Sequence, residues 1–398
     1  MMKLAKLAAD LRLEKIPARW ETIYDDAIAH GTPFLEEEWL RDLSNRYPVL
    51  TFSMEDCLKA AAQIKTIEPL RTFCALLSFA MQQRKDFLYD CAELELPKAG
   101  ADEDETAYVM AAYLSSLESV PMAAEAYAKR GVPDDILQAT LEGIEGSLRA
   151  YEKRFGRLGM DMRYLGWNQR YFDQRLLRIG RLNFDVFHRM GGNVALFRSK
   201  SGRQQLLAVD GRYDRKGFAL GSAGHENEEG AFDAVYEEAE RYYGGYAVDP
   251  RGCVTKTFMK LDKAGWEKAF CPEDACIFVH IPAGPGLTPE NVGSCIDKAR
   301  KIIADGYPDY DVKGFCCSSW LMDPQLGDIL GDEANITRFQ RRFLRAPQKS
   351  QGRDVFTFLY PKAVESYDQL PENTRLERAV KKLYLNGQYI YELRGLFL

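Results

Sequence analysis

The residues best suited to chemistry gather between positions 280 and 342. His280 ends the apolar run 276–282, and Ser318 and Ser319 end a second run, 312–319. If these runs are neighbouring parallel strands, all three side chains stand at the carboxyl edge of the sheet, where ligands of open α/β sheets collect. Adjacent strands lie about 4.8 Å apart, so an imidazole and a hydroxyl at that edge can meet or share a substrate proton. Register decides which serine joins His280. Ser319 is preferred, being nearest the strand end and the following helix, whose free N–H groups would add to an oxyanion site. The purely structural alternative is that His280 caps a loop carbonyl and the serines cap that helix.

Two further groups suit anions. Gly284, Pro285, Gly286 and Thr288 lie in a loop that leads from the first strand into a helix. Glycine allows close backbone approach, and the N–H groups of a helix start attract negative charge. Glu290 in the first turn would oppose a phosphate there, and a plain, well-capped loop is the rival reading. Arg338, Gln340 and Arg342 alternate in 336–343, which reads as a strand with all three on one face, fit to hold a carboxylate or phosphate. A solvated strand face is the rival. Asp323 followed by Pro324 reads as a helix cap with proline at the first helical position. Cys316 and Cys317 read as core thiols, since no basic neighbour in sequence would activate them.

Composition narrows the classes. The chain has 398 residues, 46% of them apolar, and a formal net charge of −6. That balance supports two domains with large cores and offers no global field for nucleic acid or an acidic membrane. Nine cysteines in no regular spacing argue for reduced thiols, and four scattered histidines argue against a metal site. The N-terminal segment alternates charge with apolar residues and reads as an amphipathic helix rather than a signal peptide. No apolar run approaches the roughly 20 residues that a membrane helix needs. The expected setting is the cytoplasm, with no nucleic-acid or membrane partner.

These side chains need a scaffold, and the hydrophobic period describes one. From residue 2 to about 154 apolar residues recur at three and four, as in Leu4, Leu7, Ala8 and Leu11, or Ile136, Thr140, Ile144 and Leu148. After Gly156 short β-branched and aromatic runs take over, at 181–189, 193–198, 204–209, 254–260, 276–282, 312–319, 336–343, 355–360 and 388–393. Helices are expected at 228–243, 288–304, 323–330 and 374–385. The fold class is therefore a helical domain, 1–155, followed by an α/β domain, 156–398, with a mixed sheet and flanking helices.

Several segments carry a resemblance: RIGRLNFDVF at 178–187, HIPAGPGLTPENV at 280–292, CSSWLMDPQLGDIL at 317–330 and NITRFQRRF at 335–343. They resemble a bacterial family that pairs an N-acyltransferase N-terminal domain with a GNAT-like C-terminal domain. The stretch 131–159 resembles that family's junction. The resemblance implies a transferase that moves an acyl group from acetyl-CoA or a longer acyl-CoA to an amine or hydroxyl of a small-molecule acceptor. It also implies that the 284–288 loop cradles pyrophosphate. The family's usual pyrophosphate pattern, Arg/Gln-x-x-Gly-x-Gly/Ala, has no clean copy; Arg189–Val194 and Arg241–Tyr246 each miss the last position. A ligand-binding or scaffolding protein that lost the cofactor loop is the second reading. A serine hydrolase comes last, because no Gly-x-Ser-x-Gly elbow is present. Oligomeric state, acyl length and acceptor are open.

Overall fold

A computed structural model describes residues 2–50, 53–83, 87–282, 284, 286–360 and 364–398. The chain divides into two compact units, Met1–Gly180 and Arg181–Leu398. The change of hydrophobic period at Gly156 precedes that division. Residues 157–180 add a helix, Met162–Phe172, and a short strand, Leu176–Ile179, to the first unit. No helix among the described residues is long and apolar enough to cross a membrane.

The first unit is helical because its apolar stripes find one another. Leu4 and Leu7 are buried on the opening helix Met2–Asp10 and Leu11 just after it, as are Ile136, Thr140, Ile144 and Leu148 on the long helix Asp134–Phe155. That helix follows Pro133, carries Asp134 and Asp135 in its first turn, and stops at Gly156, whose φ of 75° is the left-handed conformation glycine tolerates. Asp104 and Asp161 cap two further helices by accepting from the backbone N–H of Thr106 and Tyr164. The buried Asp90 is paired: Trp20 donates to it at 2.8 Å, and Arg19 reaches the same carboxylate.

The second unit holds the sheet that matters for chemistry. Its strands run in the order Leu182–Arg189, Ala275–His280, Gly314–Ser319, Leu393–Phe397 and Leu344–Ala346. Ala275–His280 and Gly314–Ser319, called below the histidine and serine strands, are parallel, and every other neighbouring pair is antiparallel. The crossover helix Pro289–Gly306 joins the two parallel strands, capped by Thr288, and buries Val292, Cys295, Ile296, Ala299 and Ile303. A second, antiparallel sheet of 194–199, 204–208, 236–238, 242–248, 254–262 and 266–270 packs Val194, Leu196, Leu206 and Phe270 against Cys276, Cys316 and Leu396. A C-terminal helical cluster buries Leu326, Val355, Val380 and Tyr384.

Several local expectations are corrected. The segment 228–243 is not a helix but carries the strands Phe232–Asp233 and Tyr236–Glu238 and the start of Tyr242–Val248. Its aromatic spacing suits a helix, yet Tyr236 pairs with Gly245 across a ladder that sequence spacing does not reveal. Segments 336–343 and 355–360 form the helices Asn335–Gln340 and Asp354–Leu359 instead of strands. Both are short apolar runs, for which alternation and helical spacing cannot be told apart. The final strand starts at Leu393 rather than 388.

Candidate active site

The strand 182–189 supplies what the motif-level reading lacked. Against the histidine strand, Asn183 pairs with His280 and Asp185 with Phe278, but His188 pairs with Cys276. One extra residue therefore bulges out, and Phe187 adopts a φ of 65°. Side chains three apart normally point to opposite faces of a strand, and the bulge brings Asp185 and His188 to the same one. Tyr310 pins the bulge: its hydroxyl accepts from His188 N at 2.8 Å, and its ring packs beside Phe187.

Asp185 is completely buried. His188 Nε2 lies 2.8 Å from its Oδ2, and His280 Nε2 lies 3.6 Å from the same oxygen. Two imidazoles thus share one buried carboxylate, and each side chain is still 27% exposed. Such an arrangement orients the two rings towards one carboxylate.

The seam beside them opens. The two parallel strands are bridged at Cys276–Gly314, Ile277–Phe315 and Phe278–Cys316. Each continues beyond the last bridge, to His280 and Ser319, while its outer neighbour stays paired through His280–Asn183 and Ser319–Leu393. The sheet is therefore split along one line at its carboxyl edge. Strand edges of this kind can pair with an extended, amide-bearing ligand.

Register also separates the serines. Phe278 lies opposite Cys316, so His280 and Ser318, two residues further along, share a face. Ser318 Oγ donates to Gln348 Oε1 at 3.1 Å, and Arg394 Nε approaches it at 3.4 Å. Ser319, preferred from sequence, lies on the opposite face. Its hydroxyl accepts from Leu321 N at 3.1 Å and caps the short helix Trp320–Met322. Behind Ser318, Gln348 and Asp354 both hydrogen-bond the Glu392 side chain. Burial first, and then Asp354, push Glu392 up to about 7.

The loop after the histidine strand turns at Gly284, with φ 131°, and Gly286, with φ 85°. Arg181 Nη2 donates to Gly284 O, and Asn291 Nδ2 to Gly286 O. Thr288 Oγ1 accepts from Asn291 N, so the crossover helix presents a capped but reachable start. Pro285 lies outside the described residues. Arg338 and Arg342 sit on and just after a helix, not on a strand. Arg342 Nη2 donates to Pro289 O at 2.8 Å, Arg338 pairs with Glu333, and both lower the pKa of Glu290 after its nearer hydrogen bonds. Gln340 does not join them. It is buried and donates to Leu321 O and Asp323 O. Asp323 is structural: it accepts from Gln325 N at 2.8 Å and Tyr391 N at 2.7 Å, and its burial raises its pKa.

Asp185, His188, Gln348, Glu392 and Arg394 are absent from the sequence-level site. The RIGRLNFDVF segment that contains Asp185 carried the resemblance, but only the bulge makes Asp185 and His188 neighbours of His280.

A family model described as the GNAT-like C-terminal domain matches residues 176–397, more than half of the chain, and one described as the N-acyltransferase N-terminal domain matches 42–173. The chain belongs to the GNAT-like C-terminal domain family. In this GNAT-like chain the seam, the glycine loop and the crossover helix are consecutive parts of one strand–loop–helix–strand unit. Solved structures share its fold. An acyltransferase in complex with decanoyl-CoA and teicoplanin superposes with a TM-score of 0.63 at 19% identity, covering 98% of both chains. An acyltransferase in complex with CoA and 10C-teicoplanin gives 0.64 at 19% identity over the same shares. An acyltransferase in complex with decanoyl-CoA gives 0.63 at 16% identity, covering 99% of this chain and 98% of that one. No curated protein matches the sequence.

Proposed function

We propose that the chain is an acyl-CoA-dependent acyltransferase acting on an amine or hydroxyl of a small-molecule acceptor. The observation that carries this reading is the pair of imidazoles on buried Asp185, set beside the opened seam and one loop away from the crossover-helix start. The thioester arm of the donor lies along the seam, its amides meeting exposed strand backbone. Its phosphates lie against Gly284, Gly286 and Thr288 and the helix start, with Arg338 and Arg342 as the nearby cations.

His280 acts as the general base. It takes a proton from the acceptor nitrogen or oxygen as that atom bonds to the thioester carbonyl carbon, and Asp185 stabilises the resulting imidazolium. Collapse of the tetrahedral adduct breaks the carbon–sulfur bond, and the thiolate leaves with a proton as CoA. Ser318 is a polar wall rather than a nucleophile, because its proton is committed to Gln348. The structural neighbours that hold acyl-CoA together with teicoplanin support this reaction class, as does the family's N-acyltransferase domain. Nine free cysteines support a reducing, cytoplasmic setting.

The test uses the full chain with acetyl-, octanoyl- and decanoyl-CoA, following thermal stability and then thiol release with a panel of amine and amino-sugar acceptors. A raised unfolding midpoint with at least one acyl-CoA is expected. Turnover should fall by a factor of roughly 100 or more in His280→Ala. No stabilisation by any acyl-CoA would sink the proposal. Full turnover in His280→Ala would remove the base.

A further inference from the structure

Beside the helix Asn335–Gln340 lies a cavity of about 550 Å³ whose lining includes neither Arg338 nor Arg342. Arg251, Arg341 and Arg345 line it together with Thr337, Gln340 and the carboxylates Asp328 and Asp332. Two of these arginines have carboxylate partners. Arg251 grips Asp328 at 2.9 Å, and Arg341 pairs with Asp332. Both aspartates are largely exposed, 62% and 79%, so either can swing into water.

Arg345 is different. It is half-buried and makes no ion pair among the described residues. Its Nη1 donates to Pro250 O at 2.9 Å and its Nη2 to Gln340 Oε1 at 3.2 Å, while Nε has no protein acceptor. Gln340 is itself fixed: its amide nitrogen donates to two carbonyls, which turns its oxygen towards Arg345. The guanidinium is therefore held in place by neutral groups. Thr337, only 5% exposed, also has a hydroxyl with no protein partner. Burial first, and then Arg251, push the Arg345 pKa down; Arg341 adds to this, while the charges of Asp323 and Asp328 oppose it.

Held cations that lack counter-charge are unfavourable unless something completes them, because a buried charge needs a partner. Here three guanidinium groups against two exposed carboxylates leave the wall with an excess of positive charge around a space large enough for a small organic phosphate. Guanidinium forks match tetrahedral oxyanions bidentately, and a doubly charged group offers acceptors in several directions at once.

We propose that the cavity walled by Arg251, Arg341, Arg345 and Thr337 is a binding site for a phosphoryl group, separate from the seam and its glycine loop. Arg345 supplies the fixed charge, and Thr337 supplies an otherwise unused donor. Arg251 and Arg341 exchange exposed aspartates for the ligand. This site does not depend on the acyltransferase reading.

The experiment is calorimetric titration of inorganic phosphate into the full chain at low salt, on wild type, Arg345→Met and Thr337→Val, with thermal unfolding of each. Wild type should bind with Kd near or below about 1 mM, and binding should weaken as salt rises. Arg345→Met should weaken it by at least about tenfold. Thr337→Val, nearly isosteric, should weaken it by roughly threefold to tenfold. Without phosphate, Arg345→Met should unfold close to wild type, because it removes a half-buried charge with no ion pair among the described residues. A merely structural strut would behave otherwise, with earlier unfolding and unchanged phosphate binding, and that result overturns the proposal. So does the absence of binding up to about 10 mM, or unchanged binding in Thr337→Val if Arg345→Met fails to fold. Repeating the titration with saturating CoA identifies the source. Loss of the phosphate response assigns the site to a phosphate of CoA, and its persistence assigns it to a free phosphate compound.

Discussion

Replacing Glu392 with Gln isolates a pH-dependent contribution to stability next to the proposed site. The Glu392 side chain is half-buried and hydrogen-bonded to Gln348 and Asp354. Burial, and then the Asp354 carboxylate, raise its pKa from the ordinary 4.5 to about 7. Between those values the folded chain holds a proton that the unfolded chain has released. The folded state then binds more protons, so this group's contribution is full below about 4.5 and is lost as pH rises through about 7. The gap between 4.5 and about 7 sets a ceiling of about 3 kcal/mol. Partial exposure screens the interaction, which leaves about 1–2 kcal/mol. Glutamine keeps a donor for Asp354 and an oxygen, but it does not titrate. Relative to wild type, Glu392→Gln should therefore gain about 1–2 kcal/mol between pH 5 and pH 8. Urea unfolding of both proteins at several pH values measures this, since the contributions of all unchanged groups cancel in the difference. Parallel stability curves for the two proteins across that range would refute the reasoning.

Three other substitutions and one chemical treatment probe the site and the two cores. Ser319→Ala should cost about 1 kcal/mol through the lost cap while leaving acyl transfer unchanged, whereas Ser318→Ala should lower transfer without that loss of stability; urea midpoints and thiol release read the two effects apart. Asp323→Ala strands the backbone N–H groups of Gln325 and Tyr391 and should destabilise by about 3 kcal/mol or more, measured by urea unfolding. Burial pushes Cys57, Cys74, Cys91 and Cys317 up to about 12 and Cys271 to about 11. Mass spectrometry after brief alkylation at pH 8 should find Cys271 labelled first, and the four buried thiols labelled roughly a thousandfold more slowly than a free cysteine. Equal labelling of Cys57 and Cys271 would contradict the burial.

What the sequence determined by itself is local. The helical first unit is readable because each stripe repeats within one turn or two, and the caps at Thr288 and Asp323 and the capping box Thr374–Glu377 are set by neighbouring residues. The parallel pair joined by the crossover helix follows from the strand–loop–helix–strand order, which placed His280 and the serines at one edge of the sheet. Tertiary structure decided everything that depends on register. The bulge at Phe187 aligns Asp185 and His188 with His280. The Phe278–Cys316 pairing puts Ser318, not Ser319, on the histidine face. Arg338 and Arg342 were misplaced because Phe339 and Phe343 fit both periods, and only packing chose the helix. Arg345 stands beside Arg251 and Arg341 because Gln340 and the Pro250 turn meet there. A slip of one residue along a strand exchanges its two faces, and no pattern within the strand itself records which partner residue it will meet.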